Sequence, residues 1–110
     1  MFTQTARRPA KIPSIFRSCY AKAVVEVVGK PEPPLAGLVR FVADEGLLLE
    51  SDQYFEVDVP LVLHVTPREG SALLVSVRVS RCNRLPSGKW GLSCTFDEWQ
   101  SPHKLRNVLC

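Results

Sequence analysis

Apolar and polar side chains alternate with a two-residue period along most of the chain, which is the pattern of half-buried strands. From Tyr20 to Val28, Ala21, Ala23, Val25 and Val27 fall on one side and Lys22, Val24, Glu26 and Val28 on the other. This predicts a first strand. Gly29-Lys30-Pro31-Glu32-Pro33-Pro34 ends it, because no ladder tolerates that density of residues without an N–H. Leu35 to Val42 predicts a second strand and Gly46 to Ser51 a third. Asp44-Glu45-Gly46 between them is turn chemistry, with Gly46 free to take a positive φ. A polar loop from Asp52 to Asp58 carries Tyr54 and Phe55. Val59, Leu61, Leu63 and Val65 then alternate with Pro60, Val62, His64 and Thr66 in a fourth strand, closed by Pro67-Arg68-Glu69-Gly70. Ser71 to Arg84 predicts the longest strand, with Leu73, Val75, Val77 and Val79 facing one way and Ser76, Arg78, Ser80 and Cys82 the other. After Leu85-Pro86-Ser87-Gly88, the residues Trp90, Leu92, Cys94 and Phe96 form the apolar face of a sixth strand.

The tail changes period. Ser101 suits an N-cap and Pro102 the first helical position, and Leu105, Val108 and Leu109 make an apolar stripe. Six short strands followed by one helix predict an all-β fold, a small six-stranded antiparallel β-barrel with a C-terminal helix covering one mouth. Closure removes exposed strand edges. At 110 residues the chain is one domain with one modest core. Residues 1–18 read as a basic N-terminal arm and 19–110 as the barrel with its helix.

The net charge of +3 says less than its distribution. Arg7, Arg8, Lys11, Arg17 and Lys22 precede the first acid, Glu26, and a one-signed leading segment favours an anionic partner. No apolar run approaches the ~18 residues of a membrane helix, so no membrane insertion is expected. Nothing resembles a secretion signal, and the cytoplasm is the expected compartment. The cysteines Cys19, Cys82, Cys94 and Cys110 lack CxxC spacing, so no metal is expected, and a reducing compartment disfavours a disulfide among them. Cys94 reads as a small buried hydrophobe. His64 lies mid-strand opposite the apolar face, and His103 lies in the predicted helix. Neither has acids at ligand spacing. No nucleophile motif and no phosphate-binding glycine loop is present, so catalysis is not expected.

The order of elements carries a resemblance. A basic arm is followed by strands, a turn ending in Gly46-Leu47-Leu48-Leu49, a hairpin, and a last strand reading Trp90-Gly91-Leu92-Ser93-Cys94-Thr95-Phe96. Nearly the whole chain resembles the PilZ domain, a six-stranded bacterial barrel that binds the second messenger cyclic di-GMP. The resemblance implies ligand binding through an RxxxR motif on the arm and a DxSxxG motif after the second strand. Arg7 and Arg8 match the first motif, while Lys11 stands where its last arginine would be. A lysine there keeps the charge and loses the planar fork. In the second motif only Gly46 is kept; Phe41 holds the aspartate position and Ala43 the serine position.

In the family those two side chains hydrogen-bond a guanine edge. Facing Phe41 and Ala43, that edge would lose water without replacement, at about 1–3 kcal/mol for each group left unsatisfied. Phe41 reads as rim packing rather than a stacking platform. The resemblance therefore implies a bacterial signalling module with weakened or lost cyclic di-GMP binding, and no other cofactor. The alternative is an adaptor of the same fold that acts through a protein partner, offered by the Tyr54-Phe55 loop or the proline loop. Nucleic acid is disfavoured as a partner, because no strand visibly combines aromatic and basic residues.

Overall fold

In the computed structural model the described residues are 17–30, 33–67 and 71–97, and they form six strands. These are β1 (Arg17–Val27), β2 (Leu35–Val42), β3 (Gly46–Ser51), β4 (Pro60–Val65), β5 (Leu73–Arg84) and β6 (Trp90–Phe96). Every pairing is antiparallel, and the strand order β1-β2-β3-β6-β5-β4 closes on itself. β1 closes the ring by pairing with β2 on one side and β4 on the other, with Ala23 opposite both Gly37 and Val65. The predicted bounds of β2, β3 and β6 coincide with the observed ones. β1 begins three residues earlier than its alternation announced, at Arg17. The predicted C-terminal helix lies outside the described residues.

The apolar phase of each strand points into the barrel, whose interior is filled by side chains rather than solvent. Leu49, Leu61, Leu63 and Leu92 are fully buried, together with Val25, Val39, Val42, Val65, Val75, Val77 and Val79. Each such leucine contributes roughly 1.5–3 kcal/mol relative to an exposed position. Phe55 departs from expectation: it is no surface residue of the loop, but joins this core.

Three strands break step. Val39 faces Leu49 and Phe41 faces Leu48, so Arg40 is an extra residue against β3. The pairing of β1 with β2 also shifts between Ser18 and Ala21, and that of β5 with β6 between Val79 and Arg81. In β2 and β5 the extra residue reverses the facing of those beyond it, whereas β1 keeps its alternation, with Cys19 and Ala21 both buried. This corrects the reading of Cys82: Ser80 and Arg81 both face out, and Cys82 packs partly buried against the core.

Gly46 also differs from its prediction, because it is not among the residues with positive φ. Its need for glycine is a close approach: a Cβ there would sit 1.9 Å from the carbonyl oxygen of Cys94. The Cys82 and Cys94 thiols are free, whereas Cys19 is disulfide-bonded, contrary to the reduced state expected for the cysteines. Burial, helped by the nearby Cys82, pushes the Cys94 thiol up to about 12. It therefore stays protonated, and hence a poor nucleophile, throughout the neutral range.

Two outcomes check this packing. Gly46→Ala should lower stability in urea unfolding by about 2–3 kcal/mol, as overpacking against fixed backbone does. Thiol labelling of native protein at mildly alkaline pH should modify Cys82 and spare Cys94 until the barrel unfolds.

Candidate functional site on the outer face of β2 and β3

The bulge at Arg40 creates the most developed surface feature on this side of the barrel. With Val39 and Val42 both pointing inward, Arg40 and Phe41 lie side by side on the outer face. The Arg40 guanidinium stands over the Tyr20 ring, 5.8 Å from its centroid, and Nη1 donates to Glu50 Oε1 at 3.2 Å. Glu50 is a charged side chain held at 9% exposure, which needs partners to offset lost hydration. Its second oxygen accepts from the Ser87 hydroxyl at 3.1 Å.

Ser87 reaches Glu50 because the β5–β6 turn folds back over the sheet. Gly91 permits this, since a Cβ there would meet Leu85 Cδ2 at 2.8 Å. The turn closes on itself through Leu85 N–H to the Lys89 carbonyl at 2.8 Å and Gly88 N–H to the Leu85 carbonyl at 2.9 Å. Lys89 Nζ anchors the far side by donating to Asp52 at 2.7 Å, a contact that raises the ammonium pKa. Between turn and sheet lies a cavity of about 250 Å³, with Phe41, Leu48, Leu85 and Pro86 as apolar walls and Arg40 with Glu50 at its polar end.

The positions singled out by the cyclic di-GMP motifs fare differently. Arg7, Arg8 and Lys11 lie outside the described residues. Phe41 is half-buried on the outer face. Ala43 is 8% exposed and lies in the tight β2–β3 connection, where its N–H donates to the Gly46 carbonyl at 2.8 Å. Gly46 is packed against β6, while Asp44 is exposed at the turn. The structure therefore brings Phe41, Ala43 and Gly46 to one end of the β2–β3 hairpin, with neither a carboxylate nor a hydroxyl at the two motif positions that carry those groups in the family. A second cavity, of about 320 Å³, adjoins that end and is lined by Glu45, Leu48, Ser80 and Thr95 among others.

Sequence reading missed the Glu50 cluster. Glu50 sits in a leucine-rich strand, and nothing in its neighbours announces burial. The only signal was Arg40 ten residues earlier, which a hairpin register would place nearby. The histidine reading also gains a partner: His64 Nε2 lies 2.7 Å from Glu26 Oε1 across the β1–β4 seam. Among the described residues no group of three or more His, Cys, Asp or Glu could hold a metal ion. No described helix is long and apolar enough to cross a membrane.

Removing the Arg40 guanidinium leaves Glu50 with Ser87 alone among the described residues. Arg40→Ala should therefore destabilise by about 1–3 kcal/mol. The double change Arg40→Ala with Glu50→Gln should recover part of that loss in urea unfolding, because the stranded charge is gone.

Comparisons with family models, curated proteins and solved structures return no match for this chain.

Proposed function

We propose that the chain is a PilZ-like signalling module without catalytic activity, whose binding of cyclic di-GMP is weak or lost. The closed six-stranded antiparallel barrel supports this reading, being the architecture that the motif resemblance implies. The observation that carries the weakened binding is the end of the β2–β3 hairpin. Ala43 is buried with its N–H already bonded to Gly46, and Phe41 offers a ring where a carboxylate is required. A guanine edge placed there finds no acceptor from either position. Binding, where it survives, rests on Arg7, Arg8 and Lys11.

A second reading, a ligand-independent adaptor of the same fold, is favoured by one observation. The face beside the hairpin is largely apolar and carries an exposed aromatic: Phe41, Leu48, Leu85 and Pro86 wall an open cavity, and Tyr20, under the Arg40 guanidinium, is 75% exposed. Aromatic anchors of that kind are typical of protein contacts. The bacterial cytoplasm is the setting that cyclic di-GMP signalling implies.

Isothermal titration with cyclic di-GMP, with cyclic GMP as control, separates these readings. The expected result is absent heat or affinity weaker than micromolar, and any residual binding should vanish in Arg7→Ala with Arg8→Ala. Submicromolar binding that survives that double change would contradict the assignment.

A further inference from the structure

The β5–β6 hairpin carries a different surface from the face just described. From Ser71 to Phe96 the charged side chains are Arg78, Arg81, Arg84 and Lys89, and none is acidic. Two of these cations are neutralised locally: Arg78 donates to Asp97 at 3.3 Å and Lys89 to Asp52 at 2.7 Å. The other two are not. Arg81 is exposed and makes no ion pair or side-chain hydrogen bond among the described residues. Arg84 gives one hydrogen bond to the Gly88 carbonyl and lays its guanidinium over the Trp90 ring, 4.5 Å from the centroid. Tyr54 meets Trp90 edge to face at 5.2 Å and is itself 48% exposed. The fold thus assembles arginine, tryptophan and tyrosine from three separate segments into one stack.

The backbone makes both arginines reachable from one side. β4 pairs with β5 only as far as Arg78, opposite Pro60, with Val79 bonded to Val59 just beyond. From Ser80 to Arg84, β5 has β6 on one side and, among the described residues, no strand on the other. The bulge turns Arg81 to the outer face, while Arg84 accompanies Trp90 at the barrel mouth. Their Cα atoms lie roughly 10 Å apart along the strand, from the ordinary rise per residue. A chain crossing this open edge meets a cation on each face of the ribbon, the amide of Asn83 between them, and the Trp90–Tyr54 rings beside them.

We propose that this edge of β5 binds single-stranded nucleic acid, with Arg81 and Arg84 contacting successive phosphates and the exposed Tyr54, braced by Trp90, stacking a base. The occupant is argued from chemistry. Two unneutralised guanidiniums call for a polyanion, and an exposed aromatic edge calls for flat rings. A duplex buries its ring faces, and a polyphosphate has none. The proposal uses no residue of the β2–β3 hairpin or of the cyclic di-GMP motifs, so that reading can fail without touching it.

The test is fluorescence anisotropy of a short labelled oligothymidylate with the full chain at low salt, repeated with the same sequence as a duplex and with polyphosphate as competitor. The expected result is preference for the single strand, with log affinity falling against log salt at a slope of about −1.4, as two phosphate contacts give. Arg81→Ala should weaken binding about tenfold and bring the slope to about −0.7. Tyr54→Ala should weaken it about tenfold with the slope unchanged. Absence of binding would overturn the proposal. So would competition by polyphosphate with no effect of Tyr54→Ala, or binding lost in Arg7→Ala with Arg8→Ala but retained in Arg81→Glu. Circular dichroism of each variant confirms that the barrel is intact; Arg81, having no partner to lose, is the safest of these changes.

Discussion

Closure of the ring through β1 is the constraint on which the rest depends. β1 bonds to β2 along one edge and to β4 along the other, so the first strand in the chain joins the second to the fourth. Without the β1–β4 ladder the same six strands would be an open sheet with two raw edges and no enclosed interior. Leu61, Leu63 and Val65 on β4 would then face solvent across from Val25, where now all four are excluded from it. Burial of these residues and the seam are therefore one cooperative event: the seam holds the core dry, and the core holds the seam shut.

A six-stranded ring is tight, and a regular ladder cannot bend so sharply without relief. The bulges supply it. Those in β2 and β5 also decide which side chains reach the surface. At Arg40 the extra residue puts a guanidinium and a phenyl ring together on the outer face, and Glu50 is drawn under the β5–β6 turn to meet the guanidinium. At Ser80 the extra residue puts Arg81 outside and lets Cys82 turn inward. Both surfaces discussed above are consequences of barrel curvature, and neither belongs to a loop inserted for the purpose.

Much of the fold was legible in the sequence, because the alternation of Val, Leu and Ala with polar residues is the direct imprint of a one-sided core. β2, β3 and β6 could be bounded to the residue, helped by Asp44-Glu45-Gly46 and by the proline and glycine turns. The bulges could not. They are defined by the partner strand, so Val39-Arg40-Phe41-Val42 reads as ordinary alternation until Leu48 and Leu49 are set against it. Phe55 looked like a surface residue of its loop for the same reason, since its burial depends on a core that local polarity does not reveal. Gly46 was read as a turn glycine free to take a positive φ, though what demands glycine there is the Cys94 carbonyl on a strand almost fifty residues away. The Arg84–Trp90–Tyr54 stack was hidden likewise, for Tyr54 is remote in sequence from the hairpin it joins.

The most direct test of this account is solution NMR of the cross-strand contacts at the seam. Closure predicts backbone NOEs between Ala23 and Val65 and between Val25 and Leu63, alongside those between Val39 and Leu49 and between Phe41 and Leu48. Their joint presence would establish both the ring and the bulge that shapes its outer face. Absence of the β1–β4 contacts from folded protein, or an unbroken register in which Arg40 faces Leu48, would contradict the account at its root.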